Sequence, residues 1–178
     1  MNYNSEAVLI IYPHGTGGRF LEVLLDANPT NLEEFASQLE RFKQLFLRDN
    51  FQGEIFNSSE DKDRYVFAVH DDIGIHENFL KFKNFKIITI VVTSKNNEDL
   101  LRRRRIYLNS PPLCSHETSL ISTFQHRLTA SACIELEDFW TPTRAIPLLK
   151  TLLTQFNIKN DNLEELYNVW YNTAIAPI

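Results

Sequence analysis

Hydrophobic residues in this chain fall into two kinds of run. Four short runs are apolar nearly throughout: residues 8–12, 65–69, 87–92 and 133–136. The third, Ile87-Ile88-Thr89-Ile90-Val91-Val92, is β-branched at every position and barely alternates. A parallel strand buried on both faces has this character. Between the runs the apolar spacing changes to three and four. Leu32, Phe35, Leu39, Phe42 and Phe46 recur at helical intervals, after Thr30 or Asn31 as the capping residue. Asn97 caps a helix opened by Glu98 and Asp99, which runs through residues 102–105 until Ser110-Pro111-Pro112 stops it. Residues 119–128 predict a further helix. Pro147, Leu149, Leu152, Leu153 and Phe156 mark another, whose start is expected near Pro147 because proline suits a first turn. Residues 163–170 make a last one. Strands alternating with helices predict one domain over residues 1–178, an α/β fold of three layers, α/β/α, around a mostly parallel sheet of about four to five strands.

In sheets of this kind ligands bind beyond the carboxyl ends of the strands. The segments that follow the runs therefore matter most. After the first comes Pro13-His14-Gly15-Thr16-Gly17-Gly18-Arg19, then the helical pattern of Phe20, Leu21, Val23, Leu24 and Leu25. Strand, glycine loop and helix in that order make an anion site. The loop amides and the first helical amides point one way, and the helix dipole adds partial positive charge. After the second run comes His70-Asp71-Asp72, after the third Thr93-Ser94-Lys95-Asn96-Asn97, and after the fourth Glu137-Asp138. The first three segments are expected to converge on one edge and to supply amides, a histidine, hydroxyls and cations. The loop is not a Walker A motif, which needs Gly-Lys-Ser/Thr with the hydroxyl on magnesium. Gly18-Arg19-Phe20 stands in its place, and Phe20 cannot ligate a metal. Phosphate-like binding without a metal is the expectation.

Composition narrows the picture. The 178 residues suffice for one domain with its own core, and 13 Phe and six Tyr point to a core rich in aromatic rings. A formal net charge of -5 is the opposite of the basic footprint of nucleic-acid binding. Cys114 and Cys133 are too few for a disulfide framework and read as reduced thiols in a cytoplasmic protein. No run approaches the ~20 apolar residues that span a bilayer. The first run is short and ends in Pro13-His14-Gly15, unlike a secretory signal. Neither a nucleic acid nor a membrane is an expected partner, and a homo-oligomer is compatible with the chain.

Several segments resemble a known family. Tyr12-Pro13-His14 and Gly17-Gly18-Arg19-Phe20-Leu21 are similar to the two halves of the 5′-phosphosulfate loop of P-loop sulfotransferases, which use 3′-phosphoadenosine 5′-phosphosulfate. Val66-Phe67-Ala68-Val69-His70, followed by Lys86-Ile87-Ile88, resembles the strand that ends in the family's catalytic histidine and the strand leading to its 3′-phosphate site. Ile134-Glu135-Leu136-Glu137-Asp138 and the amphipathic stretch at 148–156 resemble the family's C-terminal portion. The resemblance covers most of the chain and implies a P-loop-like fold. Departures are visible. The family lysine is His14 here, and Thr16 is the only hydroxyl left in the loop. Val92, Thr93 and Ser94 stand where an arginine is expected, and the family's C-terminal Arg-Lys-Gly loop has no counterpart.

The resemblance implies sulfuryl transfer from 3′-phosphoadenosine 5′-phosphosulfate to a hydroxyl or amine of a small-molecule or saccharide acceptor, leaving 3′-phosphoadenosine 5′-phosphate. His70 is the expected base, since an imidazole near its ordinary pKa of about 6.5 can take the acceptor proton at neutral pH. His14 and Arg19 are expected to supply the cation that lysine gives in the family. The guanidinium of Arg19 would act by charge alone. Gly15, Thr16, Gly17, Gly18, Arg19 and Phe20 would form the phosphosulfate cradle. Thr93, Ser94, Lys95, Arg102 and Arg103 would face the 3′-phosphate. No metal is expected, because His70, Asp71, Asp72 and His76 match no zinc spacing. His116, Glu117 and His126 fall where acceptor pockets are shaped in the family. Asp138 reads as a capping or structural acid, and Trp140, Trp170 and Tyr171 as packing. Two other functions stay open: a P-loop small-molecule kinase or phosphotransferase, and a non-catalytic relative that binds an anion or nucleotide.

Overall fold

A computed structural model describes residues 6–12, 16–47, 64–69, 86–93 and 131–175. All four apolar runs are strands: β1 (Glu6–Ile11), β2 (Arg64–Val69), β3 (Lys86–Thr93) and β4 (Ala132–Glu135). They form one sheet in the order β2-β1-β3-β4, parallel at every pairing. Ile11 pairs with Val69 on one side and with Val91 on the other, so β1, β2 and β3 point their carboxyl ends the same way. β1 is central and, from Ala7 to Ile11, buried. This is the α/β fold that the alternating pattern predicts.

Five described helices accompany the sheet: α1 (Gly18–Asp26), α2 (Leu32–Leu47), α3 (Leu136–Phe139), α4 (Pro142–Gln155) and α5 (Leu163–Ala174). Asn31 caps α2 as expected, its Oδ1 accepting the Glu34 amide at 2.9 Å. α4 differs from the sequence expectation. It starts at Pro142, not near Pro147, which lies inside the helix. Pro142 takes the opening position, where a missing N–H costs nothing. α5 runs one turn beyond residue 170. The helices expected at 97–105 and 119–128 lie outside the described residues.

The core between α1 and α5 is aromatic. Phe20 of α1 stacks on Trp170 of α5 with centroids 4.5 Å apart. It meets Phe35 of α2 edge-on at 5.5 Å and Tyr167 at 5.9 Å. Trp170 also stacks on Phe139 of α3 at 5.1 Å. Such offset and edge-on pairs contribute about 0.5–1.5 kcal/mol each beyond the area they bury. The Tyr167 hydroxyl donates to the Phe139 carbonyl at 2.5 Å, and burial holds this phenol well above its ordinary pKa. At the other end of the strands, Arg64 donates to the Phe156 carbonyl at 2.8 Å and lies over that residue's ring at 5.0 Å. The loops at 27–31 and 157–162 are joined there by amide side chains. Asn160 Nδ2 donates to Asn28 Oδ1 and to the Pro29 carbonyl, both at 2.9 Å.

Candidate functional site

β1 is followed in the chain by β2 on one side of the sheet and by β3 on the other, so the connections at its carboxyl end diverge. A crevice at such a switch point is where open parallel sheets hold ligands. The sequence places its glycine loop there. Tyr12, just past the strand, is buried, and so is Thr16. Gly17 then turns the chain with φ 97° and ψ 17° and serves as the residue before α1. Only glycine takes this left-handed conformation without strain. Phe20 and Leu21 donate to the Gly17 carbonyl at 3.0 and 3.3 Å, so the amides of Gly18 and Arg19 come ahead of the first helical hydrogen bond. No acidic residue occupies the first turn of α1. The amino end of the helix therefore presents amides and partial positive charge at the switch point.

The two described glycines have a second reason to be glycine. A β-carbon on Gly17 would meet Trp170 Cη2 at 2.8 Å and Phe139 Cε1 at 2.9 Å, and one on Gly18 would overlap the Tyr12 ring. The side of the turn that glycine leaves open is thus filled by the protein's own rings. The Trp140 indole N–H reaches the Thr16 carbonyl at 3.3 Å, tying the end of α3 to the same turn. What the turn offers a ligand is its backbone, held in place from behind by the C-terminal helices.

Arg19 is part of a buried polar cluster. Its guanidinium donates to Glu22 Oε2, one helical turn on, and hydrogen-bonds the Tyr12 side chain. Glu22 is 2% exposed, and its other oxygen accepts the amide of Ala68 in β2 at 3.0 Å. Burial pushes the Glu22 carboxyl up to about 7, against the opposing pull of Arg19 and the Ala68 amide. Burial likewise pushes the Tyr12 phenol up to about 12. The cluster joins three places: the end of β1, the first turn of α1, and the strand that precedes His70.

Of the residues expected from the sequence, Thr16, Gly17, Gly18, Arg19 and Phe20 come together at the switch point. Thr93 ends β3 at the same edge, since β3 extends two residues past the Val91 that pairs with Ile11. Phe20 is fully buried, and its ring belongs to the aromatic core. His14, Gly15, His70, Ser94, Lys95, Arg102 and Arg103 lie outside the described residues, as do Asp71, Asp72, His76, His116, Glu117 and His126. Asp138 pairs with Arg144 at 2.9 Å, and Trp140 and Trp170 pack against the turn, as their structural reading requires. No group of three metal-binding side chains occurs among the described residues. Among them, too, no helix is long and apolar enough to cross a membrane. Sequence reasoning missed Glu22. The signal was a carboxylate set between Leu21 and Val23 in an apolar stretch, three residues after an arginine.

No family model matches the chain, and no curated protein or solved structure is significantly similar to it.

Proposed function

We propose that this chain is a sulfotransferase-like enzyme that seats the phosphosulfate of 3′-phosphoadenosine 5′-phosphosulfate at the β1–α1 turn. The single observation that carries the reading is the position of that turn. A left-handed Gly17 opens the helix that follows the central parallel strand, with the amino end of that helix at the switch point. The residues fit a sulfate or phosphate group: backbone donors, helix polarity and a neighbouring guanidinium. When bound, the phosphosulfate supplies an activated sulfuryl group and a leaving phosphate. The amides of Gly17, Gly18 and Arg19 would orient its oxygens by fixed dipoles that need no rearrangement. His70 would hold the acceptor hydroxyl or amine and take its proton as the nucleophile attacks. Buried Phe20, where P-loop kinases carry their metal-binding hydroxyl, weighs against the phosphotransferase alternative.

One observation favours a second reading, anion binding without transfer. Arg19, standing where P-loops place a cation, is already engaged by Glu22. The two readings part on turnover.

Thermal shift tests the binding claim. At 100-fold over its dissociation constant, 3′-phosphoadenosine 5′-phosphate should add about 2.7 kcal/mol of stability, a rise of roughly 5–10 °C for a domain of this size. Adenosine 5′-phosphate and sulfate should shift it less, and ATP with magnesium no more than ATP alone. No shift with the bisphosphate would sink the proposal. Sulfate transfer to a panel of hydroxyl and amine acceptors then separates an enzyme from a binder.

A further inference from the structure

We propose that Glu22 is a positioning residue that sets, through Arg19, how much positive charge the β1–α1 turn presents to an anion, so that affinity rises as Glu22 gains a proton. The inference rests on the reading of the turn as an anion site. It stands on geometry. The Glu22 carboxylate pairs with the guanidinium of Arg19, the second residue of the helix that follows the turn. With the carboxylate ionised, that pair is close to neutral, and an anion meets little more than backbone dipoles. With the carboxyl protonated, the guanidinium carries its full charge beside the turn. The carboxyl stays in place either way, because the Ala68 amide holds its second oxygen.

The groups that face Glu22 are few among the described residues. On its own helix they are Arg19 and Asp26; from the end of β1 comes the Tyr12 phenol; from β2 comes the Ala68 amide. Burial pushes the carboxyl up to about 7 and Asp26 adds to this, so the change in charge falls near neutral pH. An anion bound at the turn repels the carboxylate and draws a proton in, so binding and protonation favour each other.

Inorganic sulfate is the probe, because it does not titrate in this range. Its affinity is measured by calorimetry from pH 6 to pH 8 for the wild-type chain and for Glu22→Gln. Glutamine keeps an oxygen for the Ala68 amide and mimics the protonated carboxyl. The wild-type affinity should rise about tenfold from pH 8 to pH 6, within the limit of tenfold per pH unit set by a single linked proton. The variant should bind at pH 8 nearly as tightly as the wild type does at pH 6. Any slope due to His14 and His70 is common to both proteins. In an Arg19→Gln background the same change at Glu22 should alter affinity less than twofold, which a purely structural role for Glu22 does not predict. Equal pH slopes with and without Glu22 would overturn this inference and leave the anion site standing. Absence of sulfate binding at every pH would overturn both.

Discussion

The α-carbon of Gly17 lies against the indole of Trp170, two residues 153 positions apart in the chain, with no room for a methyl group between them. The contact locks the turn that ends the first strand to the last described helix. It also separates two explanations for the glycine. Its left-handed backbone is required by the turn, and its missing side chain is required by the indole.

Gly17→Ala should therefore be costly twice over. A left-handed alanine costs about 1–2 kcal/mol, and overpacking a filled core costs about 1–3 kcal/mol more. Chemical denaturation should show a loss of roughly 2–5 kcal/mol. Adding Trp170→Ala relieves the overlap with the indole and leaves only that with Phe139, so the double variant should lose less than the sum of the single losses. Strict additivity would mean that the two residues do not press on each other.

Stability should carry the signature of buried Glu22. Its carboxyl rises from an ordinary 4.5 to about 7 on folding, so the fold favours the protonated form. The stability this brings is complete below about pH 4.5 and is lost as pH rises through 7. Two and a half units correspond to about 3 kcal/mol. Glu22→Gln has no proton to lose. Denaturation profiles of the two proteins should diverge by about that amount between pH 4.5 and pH 7.5. Profiles that run parallel would place Glu22 in water rather than in the core.

Asn160 makes a contrasting case. Its amide ties the α1–α2 loop to the α4–α5 loop at the amino end of the strands, away from the glycine turn. Asn160→Ala should cost about 1–3 kcal/mol, the range for stranding buried or half-buried partners. Anion binding should be unchanged in protein that stays folded. A matching loss of affinity would show that the two ends of the sheet are coupled.

Much of this architecture is written in local pattern. The β-branched run at 87–92 declares a buried parallel strand by itself, and Thr30 or Asn31 before the helical spacing of Leu32 and Phe35 declares a helix start. The start of α4 was misplaced at Pro147, because a proline there suits a first turn as well as Pro142 does. The candidate site was legible as a glycine loop after a strand. What fills the space around those glycines was not, since Trp170, Phe139 and Tyr12 reach them only through the fold. The partner of Arg19 lay three residues away at helical spacing. Its meaning depends on burial, which one helix in isolation does not disclose.

His70 follows β2, the strand whose Ala68 amide Glu22 holds. If the chain transfers sulfate as proposed, His70→Ala should lower turnover by about 10²–10⁴ while binding of 3′-phosphoadenosine 5′-phosphate survives. Unchanged turnover would remove the histidine from the mechanism.

An anion is expected to sit on the backbone beyond the end of β1. The most direct measurement is an amide NMR titration with 3′-phosphoadenosine 5′-phosphate. Large, saturable shifts are expected at the amides of Gly17, Gly18 and Arg19, with the Asn28 and Asn160 amides still. Saturable binding that leaves those three amides unmoved, or no binding at all, would contradict it.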